Sequence, residues 1–152
     1  MIIPINFKRR AWQLASLMVI PAVAFAADKP HAPAAVDTRY NLKLTPSEQA
    51  EFLAEMRSML ASIQRIMVGI GSSDRELIAE YARRSGNRMA RATPASVRAK
   101  TPPAFQEIGG PTHLMFEELA IRAQSDDMDM IATYAGKLMN QCMACHATFK
   151  VR

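Results

Sequence analysis

The chain has 152 residues, enough for one domain, with a formal charge of +5, 49% hydrophobic residues and 22% charged residues. Those proportions exclude a disordered or collagen-like chain, and two cysteines exclude a disulfide-rich scaffold. Few glycines, sparse β-branched residues and abundant Ala, Met, Glu, Arg and Leu favour helix over sheet.

Residues 1–10 carry Lys8, Arg9 and Arg10 and no acid, and an uncharged run over 11–26 ends in Ala24-Phe25-Ala26. This basic, apolar, small-x-small layout is that of a cleaved secretory signal. A membrane anchor needs about 20 predominantly apolar residues. The run here is shorter and holds Gln13 and Pro21. The residues around Arg9-Arg10 match a twin-arginine signal poorly. Cleavage after Ala26 predicts an exported, periplasmic protein with no remaining membrane span. Removing Lys8, Arg9 and Arg10 from the 19 basic residues leaves 16 against 14 acidic, a net of +2. That balance makes no case for a nucleic-acid partner.

Residues 27–44, with Pro30, Pro33 and His31, read as a tether, with His31 solvated. Thr45-Pro46-Ser47-Glu48 then supplies an N-cap, a proline at the first helical position and a capping-box acid. Behind it Phe52, Met56, Met59, Ile63, Ile66 and Ile70 repeat at spacings of four and three, the seam of a packed helix. Gly69 and Gly71 are expected to stop it. Ser73-Asp74-Arg75-Glu76 reads as a second capping box, with Leu77, Ile78, Tyr81 and Ala82 on one face and Gly86 at the end. Residues 87–103 hold three prolines and no strong period, which predicts a long connection, with a short helical piece over Pro103–Ile108. A third helix is expected from Gly110-Pro111, with Phe116, Leu119, Ala120 and Ala123 inward. A fourth starts at Ser125, Asp126 and Asp127, where acids suit the helix dipole. Its buried face is Ile131, Tyr134 or Ala135, Leu138, Cys142, Cys145 and Phe149. No strand pattern stands out, and the predicted class is all-α, an antiparallel four-helix bundle over 45–152.

Cys142-Met143-Ala144-Cys145-His146 is C-x-x-C-H, the signature of covalent haem attachment. On a helix, positions i, i+3 and i+4 share a face. Both thiols can then reach the two vinyl groups along one edge of a porphyrin, while the imidazole reaches the iron. Three other readings stay open. A redox dithiol would want its cysteines at a helix N-terminus, where the thiol pKa falls. A tetrahedral zinc site would have only His31 and His113 to complete it. A disulfide across C-x-x-C within a helix is strained and leaves His146 without a purpose.

An exported precursor with four predicted helices and C-M-A-C-H followed by Ala-Thr-Phe-Lys at the C-terminus resembles the class II c-type cytochromes, the cytochromes c′ and their low-spin, methionine-ligated relatives. The resemblance covers most of 45–152 and implies one haem c, with thioether bonds from Cys142 and Cys145 and proximal ligation by His146. It also implies a propionate contact from the basic residue four positions on, here Lys150. In this family the first helix supplies the distal face. Met56 falls at the family's distal position and is the expected sixth ligand, with Met59, one turn later, the second choice. A soft thioether there favours ferrous iron and a high potential. An apolar non-ligand would instead leave iron five-coordinate and able to bind NO or CO. The expected function is thus one-electron transfer to periplasmic redox proteins, with a gas-binding protein as the alternative. Dimerisation is common among similar proteins, so a homodimer is also expected.

No enzymatic activity is expected, since a peroxidase needs a distal acid–base pair and only His113 offers itself. His113 lies at the edge of the inward stripe of the third helix, where a satisfied core histidine, a propionate contact and a second axial ligand are the competing roles. Arg83, Arg84, Arg88, Arg91, Arg98 and Lys100 form an acid-free basic run between Glu80 and Glu107. It reads as an exposed loop beside the propionates or as a docking patch for an acidic redox partner.

Overall fold

Thr45 opens the first helix as the capping pattern predicts. Its hydroxyl accepts the Glu48 N–H and the Glu48 carboxylate accepts the Thr45 N–H at 2.8 Å, so α1 (Pro46–Ser72) starts with orphan donors on both sides satisfied. The computed structural model describes residues 36–152; the signal expected over 1–26 and His31 lie outside them. Along α1 the predicted seam is inward: Phe52, Met59, Ile63 and Ile66 are buried, Met56 and Ile70 half-buried.

Gly69 and Gly71 do not stop α1. Gly69 is buried inside it because a Cβ there would lie 2.7 Å from Ile78 Cγ1, so the missing side chain is what lets the next helix come close. The stop falls at Ser73, which takes the left-handed conformation (φ 57°). Because Ser73 ends α1, Asp74 rather than Ser73 caps α2 (Arg75–Arg84), its carboxylate accepting the Leu77 N–H at 2.9 Å.

The long connection expected over 87–103 contains two short helices, α3 (Asn87–Ala92) and α4 (Ala95–Arg98). The third long helix also begins earlier than expected: α5 (Pro103–Arg122) runs straight through Gly109-Gly110-Pro111. An interior proline costs about 3 kcal/mol, partly through the ring's clash with the preceding turn. Here Thr112 Oγ1 donates to Ile108 O at 2.7 Å beside the break, and the Phe105 ring packs over the bare Gly109. Burial of Thr112, His113, Phe116, Leu119 and Ala120 further along holds the helix together.

The last helix, α6 (Met128–Thr148), buries Ile131, Ala135 and Leu138; Ala135, not Tyr134, takes the inward position. Tyr134 instead donates its hydroxyl to Glu118. One apolar cluster joins residues of α1, α2, α5 and α6 around Ile66, Ile78, Phe116 and Leu138. The folded unit runs from Asp37 to Arg152, so the expected tether includes structure at its end. There β1 (Tyr40–Asn41) pairs in parallel with β2 (Phe149–Lys150), and Leu42 is 2% exposed. The class is all-α with this single short strand pair among the described residues. No helix among them is long and apolar enough to cross a membrane.

Candidate functional site

Leu138 is the last fully buried residue of α6, and one turn later the helix leaves the main core. Cys142 and Cys145 are half-buried there, and His146 and Met143 are exposed. Cys145 packs against a second, smaller cluster of Leu42, Phe52, Val97 and Phe149. Phe105 meets Phe149 edge-on at 5.3 Å between ring centroids and leans on Phe52 at 5.9 Å. The motif thus sits where the ends of α1, α4, α5 and α6 and the β1–β2 pair converge on aromatic side chains.

The segment before α1 fastens this end. Leu42 N donates to Lys150 O at 2.9 Å, and Arg39 Nη1 donates to the carbonyl of His146 at 3.2 Å. Hydrogen bonds from Arg39 hold the Asp37 carboxyl well below the usual carboxylate range. Lys150, expected near a propionate, lies 3.4 Å from Asp37 Oδ2 and donates to the Asp37 carbonyl.

The two candidate methionines are placed differently. Met59 is buried in the main cluster, whereas Met56 is half-buried and packs against both clusters, including the one that Cys145 joins. Of the two, Met56 is the one associated with the motif's surroundings.

His113 is buried. Its Nδ1 donates to Ser85 O at 2.7 Å, an arrangement that fixes the tautomer because a carbonyl only accepts. Nε2 lies 3.7 Å from Glu55 Oε1, too long for a hydrogen bond. Burial pushes the Glu55 carboxyl up, against the opposing influence of His113 and the Thr93 hydroxyl. Of the roles the sequence left open for His113, the structure places it as a core histidine that ties α5 to the end of α2 and faces α1. Glu55 and Thr93 also line a cavity of about 310 Å³, which shares Phe52 and Val97 with the aromatic cluster.

The setting of the two thiols bears on the readings left open by spacing. Burial pushes both up, and the neighbouring Cys142 pushes Cys145 further. They are protonated at neutral pH and sit in the last turns of a helix, the reverse of the setting that activates a redox dithiol. Both are free. Among the described residues no three His, Cys, Asp or Glu side chains converge as a metal group, so a zinc site finds no ligand set there. Haem ligation asks less of the chain: two thiols at i and i+3, one imidazole, and an apolar wall. Cys142, Cys145, His146 and the aromatic cluster offer that donor set, and it fits.

Glu55, Ser85, Thr93, Asp37 and Arg39 were not singled out by sequence pattern, because each acts through a partner distant in the chain. No family model, curated protein or solved structure matches this chain.

Proposed function

We propose that α1, α2, α5 and α6 form an antiparallel four-helix bundle that carries one covalent haem c, and that the protein is an exported one-electron carrier. The observation that supports this reading most is the meeting of Cys145 and Met56 on one aromatic cluster, from opposite ends of the sequence. Cys142 and Cys145 would hold the ring by thioether bonds, and the His146 imidazole and the Met56 thioether would hold its iron. Bound there, a haem supplies a ferric–ferrous couple. Phe52, Phe105 and Phe149 keep water from that side, and Arg39 restrains the backbone at His146 through its carbonyl. Periplasmic redox proteins are the partners in this reading, and the chain transforms no substrate.

Visible absorption of the protein matured with haem-attachment machinery tests it, oxidised and reduced, with and without CO. A low-spin spectrum indifferent to CO, opened to CO by Met56→Ala, is the expected result. A high-spin spectrum that shifts with CO in the unaltered protein would make Met56 a packing residue and the protein a binder of NO or CO. Absence of haem bands would end the haem reading.

A further inference from the structure

We propose that the arginine face running from the end of α2 across α3 is the docking surface for an acidic protein partner. That electrons pass at this contact rests on the carrier reading above; the surface itself does not.

The fold sorts the six basic residues of 83–100 into two groups. Lys100 is paired with Glu48, and Arg98 donates to the Thr93 carbonyl. Arg83, Arg88 and Arg91 are exposed and have no ion pair among the described residues. Arg83, Arg84 and Arg88 line one groove of about 420 Å³ together with Glu80 and Glu117. Both carboxylates are already engaged, Glu80 by Arg84 and Glu117 by the Asn87 N–H at 2.8 Å. Arg84 is further held over the Tyr81 ring, 4.4 Å from its centroid. The groove therefore presents one fixed guanidinium, two free ones and the Glu117 carboxylate, which has no ion pair among the described residues. Arg91 follows Arg88 by three positions on α3, on the same side of that helix.

Guanidinium forks match carboxylates bidentately, and a row of them selects an acidic protein surface over a neutral one. Position supplies the second argument. From the groove the chain continues through α3 into α4, where Val97 is 1% exposed in the cluster that Cys145 joins. Met89 and Ala92 of α3 also line the cavity that shares Phe52 and Val97 with that cluster, so the helix that carries Arg88 and Arg91 borders the cluster. Charge concentrated on its exposed side steers the encounter with an acidic partner.

Two arms test the proposal, the first on the full haem-loaded chain and the second on the full chain as isolated. In the first, oxidation by ferricyanide and by tris(phenanthroline)cobalt(III) is followed by stopped flow at low ionic strength, for Arg83→Glu/Arg88→Glu and for a control. The control is Lys137→Glu, an exposed charge reversal on α6. The arginine variant should slow with the anionic oxidant by about tenfold and quicken with the cationic one, with both changes shrinking as salt rises. Equal effects from the arginine variant and the control, scaled to charge, would overturn the proposal. In the second arm, amide shifts are recorded on titration with an oligoglutamate peptide, which needs no electron transfer. Shifts centred on 83–91 that vanish in the arginine variant support the surface even if haem bands are absent. Response to phosphatidylglycerol vesicles but not to the peptide would overturn it in favour of a membrane surface.

Discussion

The two apolar regions of this molecule are built to different standards. In the main cluster Ile66, Ile78, Phe116, Leu119, Ile131 and Leu138 are all 0% exposed, and every side chain comes from one of four long helices. The second region buries only Leu42, Phe52, Val97 and Phe149, at 1–9% exposure, and takes them from a strand flank, a four-residue helix and helix ends. It is edged by the half-buried Cys145 and by Met56, and it adjoins a cavity of about 310 Å³. The first region is closed by its own apolar side chains. In the proposed reading the haem belongs to the second region, and Met56 packs against both.

The largest expected effect probes the closed region. Phe116→Ala should cost about 3–5 kcal/mol in urea unfolding, because a fully buried ring leaves a cavity that four helices cannot collapse. Phe149→Ala in the haem-free chain should cost about half of that or less, since its cluster is smaller and can relax. Equal losses would break the comparison. Next, Cys142→Ala/Cys145→Ala should eliminate covalent haem, read as loss of haem colour in denaturing gels. Hydrogen exchange should then quicken at 40–44, 52–56 and 149 while the amides around Ile66 and Phe116 stay protected. Uniform loss of protection would mean that one cooperative core, not two regions, carries the fold.

A polar tie gives a smaller effect. Arg75 Nη1 donates to the carbonyls of Ala123 and Asp126, both at 2.8 Å, closing the end of α5 and the turn before α6. Arg75→Ala should destabilise by about 1.5–3 kcal/mol, because the carbonyls lose a charged donor. Exposed Arg91→Ala should stay within about 0.5 kcal/mol. The smallest effect is in pH dependence. The Glu55 carboxyl is raised by burial, so the folded chain holds that proton more tightly than the unfolded chain. Its contribution to stability is present below the unfolded value near 4.5 and is lost as pH rises toward the raised folded value. Glu55→Gln should flatten the stability profile above pH 4.5 without altering its acid side; an unchanged profile would refute this assignment.

Much of the closed region was legible beforehand. The spacing of Met59, Ile63 and Ile66, and the inward set Phe116, Leu119, Ala120 and Ala123, required only helical periodicity and were found buried. The errors came where a local rule met a tertiary neighbour. Gly69 read as a helix stop, but the approach of Ile78 uses its bare Cα inside the helix. Gly109-Gly110-Pro111 read as a start, but α5 continues through it because burial beyond it, with Phe105 and Ile108 packed on the second cluster before it, outweighs one missing hydrogen bond. The alternation of Tyr40, Leu42 and Leu44 with polar neighbours was a strand signal within the supposed tether, too short to be decisive before its partner Phe149–Lys150 was known.

For the site, the order of residues alone determined which groups are available: C-x-x-C-H is contiguous, so its two thiols and imidazole fall on one helical face wherever that helix packs. Sequence also determined that α1 has a methionine seam, but periodicity makes Met56 and Met59 equivalent. The tertiary structure places them differently: Met56 packs against the cluster that Cys145 joins, while Met59 is enclosed in the main core. The same holds for His113, whose bond to Ser85 spans 28 positions, and for the arginines, of which the fold pairs some and leaves others free. Local spacing encodes what one helix can present, whereas burial and pairing depend on which distant segments the whole chain folds against it.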